Sequence, residues 1–369
     1  MLYRINLPMN LIDITMSCIS TVSTLILVNG DALDPIYPLR AIRQGDPLSP
    51  YLFILYMEFL GQLVEEKCRE NLWQPVKVSQ SRPAFSHLIF ADDIIFFAKA
   101  DLTNCIAIRD VLDVFCSLSG QSVSEAKSRV YFSPNVDIDT RESLSDVLGF
   151  SSTPNIGKCL GIPLKVLRDF SNEFNFILDR VKQKLAGWKA NLLSLVGRNV
   201  LIQASTVAIP TYVMQCNLLP RRILDGIERV NRNFLWGTTE SIRKIHWVGW
   251  NKVTKPKEDG GLGLQTTRGR NIAMLAKCNW RLNTKKEAPW AKVLQAKYCN
   301  NRRLNAANAD KLPCSQIWKA IKKGREVFTQ RSMWMVGRDS MLRFWHGKWM
   351  KHGHLRHLIQ GPLTQGASN

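Results

Sequence analysis

The sequence is first informative in what it lacks. No run of about 18 uncharged apolar residues occurs, so no membrane-crossing helix is expected. The opening MLYRINLPMNLIDITMSCIS has no basic n-region, no continuous apolar h-region and no small-residue cleavage site, which argues against a secretory signal. The nine cysteines are odd in number and scattered, and none is spaced C-x-x-C. That pattern excludes a disulfide framework and fits reduced, mostly buried thiols in an intracellular protein. Internal repeats and low-complexity tracts are absent. GGLGL, Gly260 to Leu264, lacks the Gly-Lys-Ser/Thr end of a phosphate loop. No βαβ repeat is regular enough for a doubly wound sheet; hairpin signals alternate with helical ones, which is an α+β pattern.

Acidic residues are scarce in one part of the chain. Residues 1–150 hold 12 Lys and Arg against 18 Asp and Glu, whereas residues 151–369 hold 38 against 12, so a net of −6 is followed by +26. Ten of the eleven tryptophans also lie after residue 150. A basic length with interleaved aromatics points to a polyanionic partner, nucleic acid first, with a solvated basic surface as the alternative. Trp236, Trp247 and Trp250 are expected in the core, with the lysines and arginines around them outside it.

One short stretch poses a chemical problem. In HLIFADDIIFFA, His87 to Ala98, two adjacent carboxylates, Asp92 and Asp93, sit between two apolar runs that each read as a buried strand. Neighbouring carboxylates repel one another and are costly to bury without compensation. The pair is either ordinary turn chemistry at a hairpin tip or a site for a hard divalent cation, which prefers carboxylate oxygen. Upstream, Asn29-Gly30 signals another hairpin, and RQGDP leads into a helix with Ser49 as its N-cap and Pro50 in its first turn. Leu52, Phe53, Tyr56, Phe59, Leu60 and Leu63 give that helix an apolar stripe. LTNCIAIRDVLDVFCSLSG predicts a helix stopped by Gly120; SRVYFSP predicts a strand, and KCLGIPL a short strand with a turn. From Val166 onward the periodicity is helical, with breaks expected at Gly187, Gly197 and Pro210. KVTKPKEDGGLGL reads as a loop, NIAMLAKCNWRL as a helix, and the remainder as helix mixed with short β-like pieces. The tail QGPLTQGASN is expected to be disordered.

The order RQGDPLSP, FADD, GQSVSEAKS, CLGIPL resembles the reverse transcriptases of plant non-LTR (LINE-type) retrotransposons. The similarity continues through AGWKANLLSLVGRNVLIQASTVAIPTYVMQ, FLWG, HWVGWNKVTKPKEDGGLGL and RFWHGKW, and so covers nearly the whole chain. The resemblance implies a partial right-hand polymerase palm, an antiparallel sheet plus helices, over residues 1–165. A helical thumb-like domain over 166–225 and a mixed, basic, Trp-containing extension over 226–369 would follow. It implies an RNA-directed DNA polymerase acting on an RNA template, a DNA primer and deoxynucleoside triphosphates. In such enzymes two Mg²⁺ ions activate the primer 3′-hydroxyl and stabilise the departing pyrophosphate. It makes Asp92 the principal metal ligand and Asp93 its support. Lys127 becomes the general acid or charge neutraliser toward pyrophosphate, where the residue alone reads as a solvated lysine. Gln44 and Gly45 become the lining of the nucleotide and template pocket, and Arg43 a phosphate contact. Cys159 stands where the family's short primer-grip-like element has an aromatic. The family works at nuclear chromosomal DNA, though no localisation signal is visible here.

The pattern fails in one respect. The family's third carboxylate belongs to a strand upstream of RQGDP, in a pattern resembling DxxKAYDxV. The acids before Gln44 are only Asp13, Asp31 and Asp34, none in such a setting. The chain reads as beginning just after that motif, without fingers or endonuclease. The expectation is a degenerate or truncated polymerase that binds Mg²⁺ at most weakly, with exposed strand edges and a poorly covered palm core. The histidines His346, His352, His354 and His357 crowd together, but no cysteine lies at a spacing that would close a tetrahedral zinc site with them.

Overall fold

A computed structural model describes residues 2–3, 5–38, 45–77, 83–164, 173–186, 192–239, 242–298, 314–333, 335–337, 344–345, 347–350, 353 and 355–358. The tail and the histidines His346, His352 and His354 lie outside them. The chain divides into two compact units, Met1–Leu167 and Arg168–Asn369. The architecture is α+β, with small antiparallel sheets and many helices.

In the first unit, helix α1 (Met9–Ser20) precedes a hairpin of β1 (Leu27–Val28) and β2 (Asp31–Ala32). Its turn is Asn29-Gly30, with φ of 54° and 97°, the left-handed pair that a two-residue hairpin turn of matching twist requires. Helix α2 spans Ser49–Arg69, with Leu48 as its N-cap rather than Ser49 and Pro50 in its first turn. It buries Leu52, Met57, Leu60 and Val64, a stripe rotated from the one the sequence suggested; Phe53, Phe59 and Leu63 flank it half-buried. Strands β3 (Val76–Lys77), β4 (Ala84–Phe85), β5 (His87–Phe90) and β6 (Asp93–Phe96) follow. Helix α3 (Leu102–Ser119) starts at an Asp101 cap, whose side chain accepts from the Asn104 N–H, and stops at Gly120, φ 69°. Helix α4 (Ile138–Leu148) is capped by Asp137 in the same way and stopped by Gly149. A hairpin of β7 (Gly157–Cys159) and β8 (Ile162–Leu164) turns through Leu160 and Gly161, φ 50° and 76°. The core unites Leu60 and Val64 of α2, Ile108, Val111 and Phe115 of α3, Leu144 and Leu148 of α4, and Trp73.

SRVYFSP does not form a ladder strand. It makes one isolated parallel bridge, Val130 to Ser152, because Val130 and Phe132 turn one face onto the helical core while no strand among the described residues runs beside them. Each sheet among the described residues has two strands.

The second unit contains α5 (Asn175–Ala186), α6 (Leu195–Leu201), a π-helical turn (Ile202–Thr206), α7 (Thr211–Met214), α8 (Arg221–Trp236), α9 (Trp250–Val253), a short 3₁₀ turn (Lys257–Asp259), α10 (Thr267–Thr284), α11 (Pro289–Tyr298), α12 (Gln316–Arg331) and α13 (Leu355–Leu358). Gly197 does not break a helix. It lies in the first turn of α6, where its N–H donates to the Ser194 cap. The β-like pieces expected near the end reduce to a bridge between Met350 and Gly353 among the described residues. Buried Asn271 ties three elements together: its side-chain oxygen accepts from Leu219 N–H at 2.9 Å, and its amide donates to the carbonyls of Met214 and Asn217. Trp236 and Trp250 pack half-buried against a core of Ile202, Phe234, Leu235, Val253 and Leu264. Trp247 departs from expectation: it is 80% exposed, because it sits in an extended segment ahead of α9 rather than on a helix face. The cysteines depart too. All eight described are free, but only Cys105 is buried and Cys18 is exposed; the rest are half-buried. No helix is long and apolar enough to cross a membrane among the described residues.

Candidate active site

The two aspartates lie on one tight hairpin. Strands β5 and β6 pair in the register His87 with Phe96, Leu88 with Ile95, Ile89 with Ile94 and Phe90 with Asp93. The loop is therefore Ala91-Asp92 alone, and Asp93 opens β6. Ala91 takes a φ of 51°, the left-handed region that an L-residue enters at a cost of about 1–2 kcal/mol, so the turn holds a strained backbone beside the carboxylates. Both aspartates are exposed.

The apolar runs around them are not buried on both sides, as the sequence suggested. Ile89, Ile94 and Phe96 pack against the core, while Leu88 is 50% and Phe90 64% exposed. With only two strands among the described residues, one face lies on the helices and Leu88 and Phe90 stay exposed on the other.

Trp73 braces the hairpin. Its side chain is fully buried, its indole N–H donates to the Phe97 carbonyl at 2.9 Å, and its ring meets that of Phe96 edge-on at 5.2 Å. At the same end Phe97 N–H donates to the Ser86 carbonyl at 2.7 Å, and the Ser86 hydroxyl is 3.0 Å from His87 Nδ1. A side chain on Gly61 of α2 would meet His87 Nε2 at 3.4 Å, so β5 lies close along that helix. Trp73 is the only tryptophan of residues 1–150. That isolation was the signal available for its role, and sequence reasoning passed over it.

The β7–β8 hairpin is near the pair. Burial pushes the Cys159 thiol up, and the Asp93 carboxylate pushes it further in the same direction. Lys127 occupies an exposed turn over 125–127, and its N–H donates to the Ser124 carbonyl. Among the described residues no ion pair ties it to either aspartate. Gly45 has a φ of 89° with open space where a Cβ would stand. Arg43 and Gln44 lie outside the described residues.

Every Asp, Glu, His and Cys of residues 1–167 is described, and none falls in a cluster of three able to hold a metal ion. The pair can give its oxygens to one hard cation. It does not fit two, because two ions need further carboxylate on a second side.

Residues 3–182 match the family of reverse transcriptases (RNA-dependent DNA polymerases). An Arabidopsis thaliana protein named "Putative ribonuclease H protein" is 35% identical over 54% of this chain and 33% of its own length. An uncharacterized mitochondrial protein of the same plant is 29% identical over 39% of this chain and 94% of its own. The retrovirus-related Pol polyprotein from type-1 retrotransposable element R2 of Popillia japonica is 27% identical over 72% of this chain and 43% of its own. The chain thus spans about a third of the first of these relatives and under half of the third.

Proposed function

Residues 3–182 match the reverse transcriptase family, and we propose that the chain descends from the RNA-directed DNA polymerase of a non-LTR retrotransposon and that its Asp92-Asp93 hairpin is the metal-binding tip of the palm. The observation that carries this reading is the exposed carboxylate pair at a two-residue turn, Asp92 in the turn and Asp93 opening β6, on a hairpin braced at its open end by Trp73 and neighboured by the Cys159 hairpin. Asp92, in the turn itself, is the principal ligand and Asp93 the supporting one. Mg²⁺ held there supplies charge stabilisation at a reacting phosphate. Arg43, Gln44 and Gly45 line the nucleotide and template pocket, and Lys127 meets the pyrophosphate. Residues 1–165 are the partial palm, 166–225 the thumb-like helices and 226–369 the basic extension. The substrates are an RNA template, a DNA primer and deoxynucleoside triphosphates.

Two carboxylates on one tip leave most of the transition-state charge unopposed, so this chain alone is inactive in polymerisation. A primer-extension assay on poly(A) and oligo(dT) with Mg²⁺ tests this. No incorporation is expected; incorporation that disappears in Asp92→Asn overturns it.

A second reading, a non-catalytic RNA- or DNA-binding remnant, is favoured by the 38 basic against 12 acidic residues of 151–369. RNA binding that weakens steeply with salt, without incorporation, selects it.

A further inference from the structure

The second unit carries a concave basic surface that the polymerase reading leaves unused. Two adjoining hollows of about 570 and 670 Å³ share Arg232, Val248, Gly249 and Trp250. One wall is helix α8, where Arg229 and Arg232 stand three residues apart and so on one face. The other wall is the extended segment before α9, with Arg243, His246 and Trp247. Over residues 229–252 the sequence has five basic residues and one acid, Glu240, which lies outside the described residues.

None of the Arg229, Arg232 and Arg243 guanidinium groups has a carboxylate partner among the described residues. Arg232 is half-buried, where a cation normally finds one; Arg229 and Arg243 are exposed. Arg232 and Arg243 are close enough to be felt together: burial, then Arg232, then Arg243 hold His246 below the usual imidazole range. His246 also stacks on Trp236, 6.2 Å between centroids and 23° between planes, which fixes the extended segment against α8. Trp250 lines both hollows, and its buried indole N–H has no acceptor among the described residues. Trp247 sits on the rim of the first hollow, 80% exposed.

We propose that this cleft binds single-stranded nucleic acid, with phosphates on Arg229, Arg232 and Arg243 and an unpaired base stacked on Trp247. Unpaired guanidinium groups on a concave wall suit phosphate oxygens, which they contact by two parallel hydrogen bonds. An exposed indole beside them offers a face to any base, and only a base outside a duplex can reach it. Hollows of this volume match the size of small-ligand pockets; they admit nucleotide-sized groups and not a double helix. The inference deepens the binding reading above by giving it a place and a strand type, and it does not depend on catalysis at Asp92.

The test uses the full chain and short fluorescein-labelled oligouridylate and oligothymidylate, followed by anisotropy across a salt series. Trp247→Ala should weaken binding about fivefold or more. Arg232→Ala with Arg243→Ala should flatten the slope of log K against log salt by about 1.4, since each lost phosphate contact on a single strand removes about 0.7. Oligouridylate carrying 4-thiouridine should cross-link to the tryptic peptide of residues 245–252, which holds both Trp247 and Trp250. The two sugars separate an RNA site from a DNA site, and binding of either supports the cleft. Unchanged affinity and slope in variants that melt like the parent, with cross-links only elsewhere, overturns it while leaving the general binding reading standing. No binding by the parent chain removes both. An equal loss of duplex binding in Trp247→Ala overturns the strand assignment. Because Trp247 is exposed, its variant remains informative even where Arg232→Ala fails to fold.

Discussion

Replacing Trp73 by phenylalanine should loosen the aspartate hairpin without unfolding the unit around it. The substitution keeps a ring for Phe96 to meet, which is 5.2 Å away in the parent, and removes the N–H that donates to the Phe97 carbonyl. That carbonyl lies just past β6 and is part-buried, and leaving such an acceptor unpaired costs up to about 1–3 kcal/mol. The smaller ring at a fully buried position leaves a void that adds about 1 kcal/mol. The sum, about 2–4 kcal/mol, is large against the roughly 5–15 kcal/mol of a whole domain. Alanine would cost about 3–5 kcal/mol for the ring alone, with the orphaned carbonyl added, and would endanger the fold. Amide hydrogen exchange reads the effect locally: at about 1.4 kcal/mol per tenfold, the amides of Asp93 to Phe97 should exchange roughly 30- to 700-fold faster. Those of Asn175–Ala186, in the other unit, should not change. Hairpin exchange within about threefold of the parent would refute the claim that Trp73 holds this tip in place.

Three other perturbations test the frame around it. Asp101→Ala should cost about 1–2 kcal/mol in a denaturant melt, because Asp101 accepts from both the backbone and side-chain N–H groups of Asn104, and Asn104 in turn accepts from Gln74 N–H at 2.6 Å. Burial pushes the Asp101 carboxyl up, but the Asn104 hydrogen bonds and Lys99 pull it below the usual range. Its stabilisation is therefore complete above about pH 4 and lost as pH falls through the lower folded value; Asp101→Asn should keep most of the cap and lose this acid dependence. Ala91→Val forces a β-branched side chain to a φ of 51° and should lower stability by at least about 1–2 kcal/mol, whereas Ala91→Gly should be neutral or stabilising; equal effects would show that the turn is not strained. Gly324→Ala places a Cβ 2.3 Å from the Leu275 carbonyl carbon and should cost about 1–3 kcal/mol or more as α10 and α12 are forced apart, with thermal melting as the check.

Local signals were legible where one residue type decides the backbone. Asn29-Gly30 gave a hairpin, Gly120 ended α3, and the alternation of hairpin and helix gave the α+β class. The FADD motif placed the tip of a hairpin, although pairing in register moved Asp93 out of the turn and into a strand. What stayed hidden depends on which faces meet. SRVYFSP has strand composition but no partner strand beside it. Gly197, taken as a break, serves as a donor to a helix cap. Leu88 and Phe90 look like core residues in the sequence, yet they face away from α2 and α3. The Asp101–Asn104–Gln74 chain and the pairing of Trp73 with Phe97 join residues 24 to 30 positions apart, and no period in the sequence marks such contacts. The cleft escaped for the same reason. Its arginines and tryptophans were visible as composition, but only the fold of the extended segment against α8 put Arg232 and Arg243 around one imidazole.

The uneven charge bears on how binding and catalysis relate. Residues 1–150, net −6 and bearing the Asp92-Asp93 pair, repel a phosphate backbone unless cations intervene. Residues 151–369, net +26, attract it and release its counterions. The proposed affinity for a polyanion and the proposed chemistry of the aspartates therefore fall in different lengths of the chain. On the proposed reading, a deficit of carboxylate takes charge stabilisation from the reacting phosphate but removes no cation from the basic length, so nucleic-acid binding would outlive polymerisation. Neutralising the pair as Asp92→Asn with Asp93→Asn should then tighten RNA binding in the absence of divalent cations, most visibly at low salt, where screening is weakest. Weaker binding would mean that the aspartates themselves help to hold the polyanion, and the separation of charge from chemistry would fail.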